Sequence, residues 1–168
     1  MRRVTTASGA PDMSAAALDS SAQRWITLIE QGNRLFRDQR LEEACEVYLG
    51  ALAWVQSSLL EWRDQDGAFA AFVITHHNLA DLHISLEQPE KASEYLCACH
   101  AELTQHCCSP VLSPAQHQAA LRHSNRSYAA LLEFVRDWGT YPPIERLLNR
   151  RIAHEGLDFV QDSGHSYH

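Results

Sequence analysis

In the stretch from Gly32 to Leu52, Leu35, Leu41, Tyr48 and Leu52 recur at the 3.6-residue period of a buried helical face. Asp38-Gln39-Arg40 interrupts the period as a turn, so the stretch predicts one antiparallel helical hairpin. Gly32 on its first helix and Ala44 and Ala51 on its second are small residues where the two helices press closest. The rest of the chain is organised around this unit.

Residues 1–19 are small and polar without periodicity (Thr5, Thr6, Ser8, Gly9, Pro11, Ser14), and are expected to form a disordered tail. Met13 is an alternative start. Ser20-Ser21-Ala22-Gln23 has the form of a capping box and opens the first helix, which runs to about Asp38. The second begins near Leu41 and carries its stripe through Val55, Leu59 and Trp62 to Asp64-Gln65-Asp66-Gly67, where Asp66 is the expected cap of the next helix. A third helix over about Ala68 to Glu87 has Phe69, Phe72, His76, Leu79, Ala80, His83 and Leu86 on one side. Pro89 opens a fourth, which ends at Cys107-Cys108-Ser109-Pro110. Ser113-Pro114-Ala115-Gln116 is a second capping box, starting a helix that Gly139 stops after Trp138. Pro142-Pro143 opens a sixth, with Ile144, Leu147, Leu148 and Ile152 as its stripe, Gly156 as its stop and a frayed tail over 157–168. The expectation is an all-α chain of about six helices in antiparallel hairpins, forming one domain over residues 20–156.

At Gly32, Ala44, Tyr48 and Ala51 the chain resembles the tetratricopeptide repeat (TPR) family at its eighth, twentieth, twenty-fourth and twenty-seventh motif positions. Ala80, Ala92 and Cys99 repeat the eighth, twentieth and twenty-seventh positions, and a degenerate third hairpin follows. Ala44 and Ala92 stand 48 residues apart, longer than the family's period of about 34. The resemblance implies a short stacked solenoid with a lengthened repeat. The order of features, including Thr75-His76-His77-Asn78-Leu79-Ala80-Asp81-Leu82, is also similar to an uncharacterised family of short proteobacterial TPR-like proteins, which brings no known activity.

A chain of 168 residues can bury a core without staples. Its formal charge of −7 argues against nucleic acid or an anionic membrane as main partner. No apolar run reaches the length of a membrane span, and Met1-Arg2-Arg3 is not followed by a signal-type apolar region. A cytoplasmic protein with five free thiols and no structural disulfide is expected.

Ten His and five Cys raise the question of metal. His76, His83, Cys97, Cys99 and His100 fall on two helices of one predicted hairpin. Cys97 and Cys99 project to opposite sides of a helix, whereas Cys97 and His100 could share an ion; no CxxC, HxxxH or HExxH is present. The alternative is that Cys99 is a small core residue and His83 fills an aromatic slot. Vicinal Cys107-Cys108 admits a redox-sensitive pair or two ordinary loop cysteines.

The resemblance also implies that the first helix of each hairpin lines an inner face, here Ile26, Ile29, Asn33, Phe36 and Arg37, then Ile74, His77, Asp81 and Ile84. These residues form either a peptide-binding surface or a packing seam between hairpins. Asn33 and Asn78 stand at positions of the family's carboxylate clamp, and Arg122 with Arg126 could supply a basic pair, but Ile29 stands where the first lysine belongs. Trp54 and Trp62 are either core or a contact with a partner or a second copy.

With no nucleophile elbow, phosphate loop or paired-carboxylate motif, no enzymatic chemistry is expected. The expected function is a cofactor-free protein- or peptide-binding module, an adaptor or chaperone-like protein, working through Ile29, Asn33, Phe36, Arg37, His77, Asp81 and Arg126. The alternative is a metal- or redox-responsive sensor using the His/Cys region.

Overall fold

The computed structural model describes residues 13–150, with side chains from Ser20 onward; the expected stop at Gly156 and the tails over 1–12 and 157–168 lie outside the described residues. Six helices are present among them: α1 (Met13–Arg37), α2 (Leu41–Ser58), α3 (Gln65–Ser85), α4 (Pro89–Cys107), α5 (Pro114–Trp138) and α6 over residues 142–150. Each of the first four packs on its successor, and α3 also touches both α1 and α5. The chain is therefore all-α, built of antiparallel hairpins stacked with their first helices side by side.

The first two hairpins close with the same turn. Gln39 and Glu87, 48 residues apart, both take a left-handed conformation, with φ of 59° and 58°. Around them Arg40 N–H bonds Leu35 O at 2.9 Å and Gln88 N–H bonds His83 O at 2.8 Å, while Gln39 and Glu87 donate to Phe36 O and Ile84 O. This satisfies the last carbonyls of α1 and α3 without the glycine that such turns usually carry.

Small residues set the distance between helices. Ala44, Ala51, Ala92 and Cys99 are fully buried. A side chain at Gly32 would meet Tyr48 Cδ1 at 2.6 Å, so α1 and α2 approach this closely only because Gly32 has none. One core joins Ile29, Tyr48, Val55, Trp62, Phe69, Phe72, Leu79 and Leu103 across α1 to α4, and a second joins Ala80, Leu96, Cys97, Leu131, Phe134 and Ile144 across α3 to α6. Complete burial of a ring such as Phe69 or Phe72 contributes on the order of 2–3 kcal/mol.

Three expected boundaries differ. The helix expected to start at Ser20 begins at Met13, so Ser20-Ser21-Ala22-Gln23 lies within α1 and does not cap it. The preceding Ala15-Ala16-Ala17-Leu18 consists of strong helix formers that carry the helix back through part of the expected tail. The second helix stops at Ser58 rather than near Asp64. Ser57 and Ser58 both donate their hydroxyls to Trp54 O at 2.9 Å, and the chain turns there, with Glu61 N–H on Ser58 O. Leu59 and Trp62 are still buried, so the apolar stripe outlasts the helix. The cap of α3 is Asp64, which accepts from Gly67 N–H at 3.0 Å; Asp66 lies in the first turn and pairs with α5. The capping box at Ser113 and Gln116 is formed in both directions.

Among the described residues, no helix is long and apolar enough to cross a membrane.

Candidate functional site

The exposed face shared by α1, α3 and α5 gathers most of the charged and polar residues expected to bind a partner, with Ile26 and Ile74 beside them. α3 and α5 run parallel, with Asp66 meeting Arg122 at one end and His77 facing Glu133 farther along. Arg122, Arg126, Ala129 and Glu133 make one stripe of α5, and Ala70, Ile74, His77 and Asp81 the facing stripe of α3. On α1 the corresponding residues are Ile26, Asn33 and Arg37. Ile26 is 38% exposed and Ile74 43%, two β-branched side chains left on the surface of adjacent helices.

The expected set divides at α1. Ile29 is buried in the first core and Phe36 is half-buried against it, so these two are packing residues and not surface ones. They lie with Trp25 and Gly32 on the side of α1 that meets its neighbours: Trp25 donates its indole N–H to Thr75 Oγ1 at 2.9 Å and packs edge-on to Trp62 at 6.2 Å. Ile84 packs against the second core. Asn33, Arg37 and Asp81 are exposed and His77 is half-buried.

Asn33 is held within the scaffold. Its Oδ1 accepts from the Tyr48 hydroxyl at 2.7 Å and from Asn78 Nδ2 at 3.3 Å, so the two clamp-position asparagines bond each other. Arg122 is likewise taken, donating to Asp66 at 2.7 Å and holding that carboxyl below its usual range. Arg126 carries no hydrogen bond or ion pair to a described residue. A carboxylate clamp thus loses Asn33, Asn78 and Arg122 to internal partners.

His77 and Asp81 are less satisfied. The Nε2 of His77 is buried without a partner. Desolvation lowers its imidazole, opposed by Asp81 and Glu133. Asp81 is exposed over much of its surface, yet its carboxyl is crowded enough for desolvation to push it above the usual range, with His77 opposing. Burial, then Asp81, raises the Tyr48 phenol, and Arg37 opposes. Asp81 therefore faces both Tyr48 and His77, with Arg37 near Tyr48 and Glu133 of α5 near His77. Glu133 was missed in the sequence, although its spacing from Arg126 on one helix face was a usable signal.

The His/Cys residues do not converge. His76 is buried against Phe72 at 4.4 Å between ring centres, with Nδ1 on Phe72 O at 3.0 Å, and burial pushes its imidazole down to about 4. His83 stacks on Tyr95 at 5.3 Å and bonds Gln88 Oε1 at 2.9 Å. Cys99 belongs to the first core and Cys97 to the second, where burial raises both thiols, that of Cys97 to about 11. His100 turns to α5, with Nδ1 2.8 Å from Ser127 Oγ, so Cys97 and His100 do not share a site. Among the described residues, no group of three or more His, Cys, Asp or Glu could hold a metal ion. All five cysteines are free thiols.

The two tryptophans are also accounted for. Trp62 is buried and bonds Ser58 Oγ at 3.0 Å; Trp54 is half-buried, donates to Ser21 O at 3.0 Å and lies under the Arg24 guanidinium at 4.1 Å.

No curated protein and no solved structure matches the chain. A family model described as a protein of unknown function, DUF2753, matches residues 23–162. That match covers most of the sequence and both core clusters, and the chain belongs to the DUF2753 family.

Proposed function

We propose that this chain is a non-catalytic protein- or peptide-binding module, an adaptor or chaperone-like protein, that uses the exposed face of α1, α3 and α5. The observation that carries the reading is the placement of Ile26 and Ile74, exposed on adjacent helices, beside His77, Asp81 and Arg126, whose side chains make no hydrogen bond to a described residue. An apolar patch rimmed by unsatisfied polar groups is what a docked peptide covers and completes. The TPR resemblance supports the same face, since the first helix of each hairpin lines it. The module works in a reducing compartment such as the cytoplasm, where five unpaired cysteines stay as thiols.

The test compares wild type with Ile74→Glu and Arg126→Glu in partner capture from the native cell, followed by titration of the recovered protein. Both positions are exposed, so circular dichroism should be unchanged. Loss of one captured protein in both variants is the expected result. Equal capture by all three proteins would overturn the reading.

A further inference from the structure

Charge along α5 is ordered. α3 and α5 run parallel with one offset of 56 residues, at Asp66 and Arg122, bonded at 2.7 Å, and again at His77 and Glu133. In that register Ile74 lies level with Ala130, midway between Arg126 and Glu133. Those two charges stand two helical turns apart, about 10 Å, and so share one side of α5. Neither makes a hydrogen bond or ion pair to a described residue. Between them lie the exposed Ala129 and, on α3, Ile74, which is 43% exposed. The face therefore runs from cation through an apolar centre to anion.

We infer that a second copy of this chain docks on this face, antiparallel, in a two-fold contact that sets Arg126 of each copy on Glu133 of the other. The inference rests on the reading of this face as a binding surface and names one occupant for it. A two-fold axis crossing α5 between Ala129 and Ala130 carries each position to the one equally far on the other side, so Arg126 meets Glu133 twice over. The same operation brings Ile74 against its own counterpart and covers the apolar centre, while the small side chain of Ala129 lets the two α5 helices approach. Farther out, Arg122 comes opposite Asp137, again unlike charges. Asp66 comes opposite Asp81, a like pair, but Arg122 already stands on Asp66 and neutralises it. Arg136, near Glu133, is likewise held by Asp137 at 2.7 Å. Internal pairing of these outer charges leaves Arg126 and Glu133 as the two that association completes. A foreign segment would have to carry this order of charges at this spacing, whereas a second copy has it by symmetry.

The experiment measures self-association of the full chain by sedimentation velocity over a range of protein concentrations, at low and high salt, for wild type, Arg126→Glu, Glu133→Arg and the double reversal. All positions are exposed, and circular dichroism checks that each variant is folded. Wild type should form a dimer that weakens with salt. Each single reversal should weaken the dimer about tenfold or more, because symmetry turns one substitution into two like-charge contacts, and the double reversal should restore it. A wild type that stays monomeric overturns the inference, as do single reversals without effect or a double reversal no better than the singles. Partner capture separates this from the binding-module reading: a chain that captures a different protein but stays monomeric refutes the two-fold contact alone, and one that dimerises as described but captures nothing else confirms the contact and refutes the adaptor.

Discussion

The Tyr48 hydroxyl donates to Asn33 Oδ1 at 2.7 Å, and the same oxygen accepts from Asn78 at 3.3 Å, so one side-chain amide ties α1 to both α2 and α3. Tyr48→Phe removes the bond while keeping the buried ring, and should lower unfolding free energy by about 1 kcal/mol. Asn33→Ala should cost a similar amount. Because the two residues share one bond, the double variant should lose less than the sum of the singles by chemical denaturation. Full additivity would show that the bond contributes nothing.

Two glycines on the first hairpin should respond in opposite directions. A methyl group at Gly32 runs into the ring of Tyr48, which is 2% exposed and held by Asn33, so Gly32→Ala should destabilise by about 1–3 kcal/mol despite better helix propensity. A methyl group at Gly50, within α2, would meet nothing within 4 Å, and Gly50→Ala should stabilise by about 0.5–1 kcal/mol. Thermal melts of both variants decide it.

His76 makes stability depend on pH. Its native imidazole is pushed down to about 4 by burial, while the unfolded side chain takes up a proton near pH 6.5. On acidification the unfolded chain therefore binds a proton that the native state refuses. The contribution of His76 is complete above about pH 6.5 and is lost as pH falls from there towards about 4, to a limit of roughly 3 kcal/mol. His76→Leu should flatten denaturation midpoints across that window; an unchanged slope would place the pH dependence elsewhere. His77 and His106, lowered by desolvation, add slope in the same sense, and Asp81, raised by desolvation, opposes it.

Cysteine reactivity should follow burial. Cys108 is exposed and Cys45 and Cys107 are partly covered, whereas Cys97 and Cys99 are buried and their thiols raised. Timed alkylation of the native protein should label Cys108 first and leave Cys97 and Cys99 unreacted until denaturant is added. Early labelling of Cys99 would contradict its place in the core.

The hairpins were legible in the sequence because their causes are local. Small residues at Gly32, Ala44 and Ala51, prolines at the starts of α4 and α5, and the Ser113 capping box act within a few residues of themselves. The 48-residue spacing read from Ala44 and Ala92 reappears in the paired turns at Gln39 and Glu87. The end of α2 was not legible, since its stripe runs on through Trp62 while the Ser57 and Ser58 hydroxyls compete for the Trp54 carbonyl.

What only the tertiary structure decided is which side of a helix meets a neighbour. Ile26 and Ile29 read alike on α1, but a turning helix presents them in different directions, and the stack buries Ile29 and leaves Ile26 exposed. Asn33 and Arg122 look available in the chain until α3 supplies Asn78 and Asp66 to hold them. His76 and Cys99 read as possible ligands, yet dense packing turns each into core. Periodicity fixes what a helix buries in total; the distribution of that burial among several partners is set by interactions between residues far apart in sequence, which no single stretch encodes.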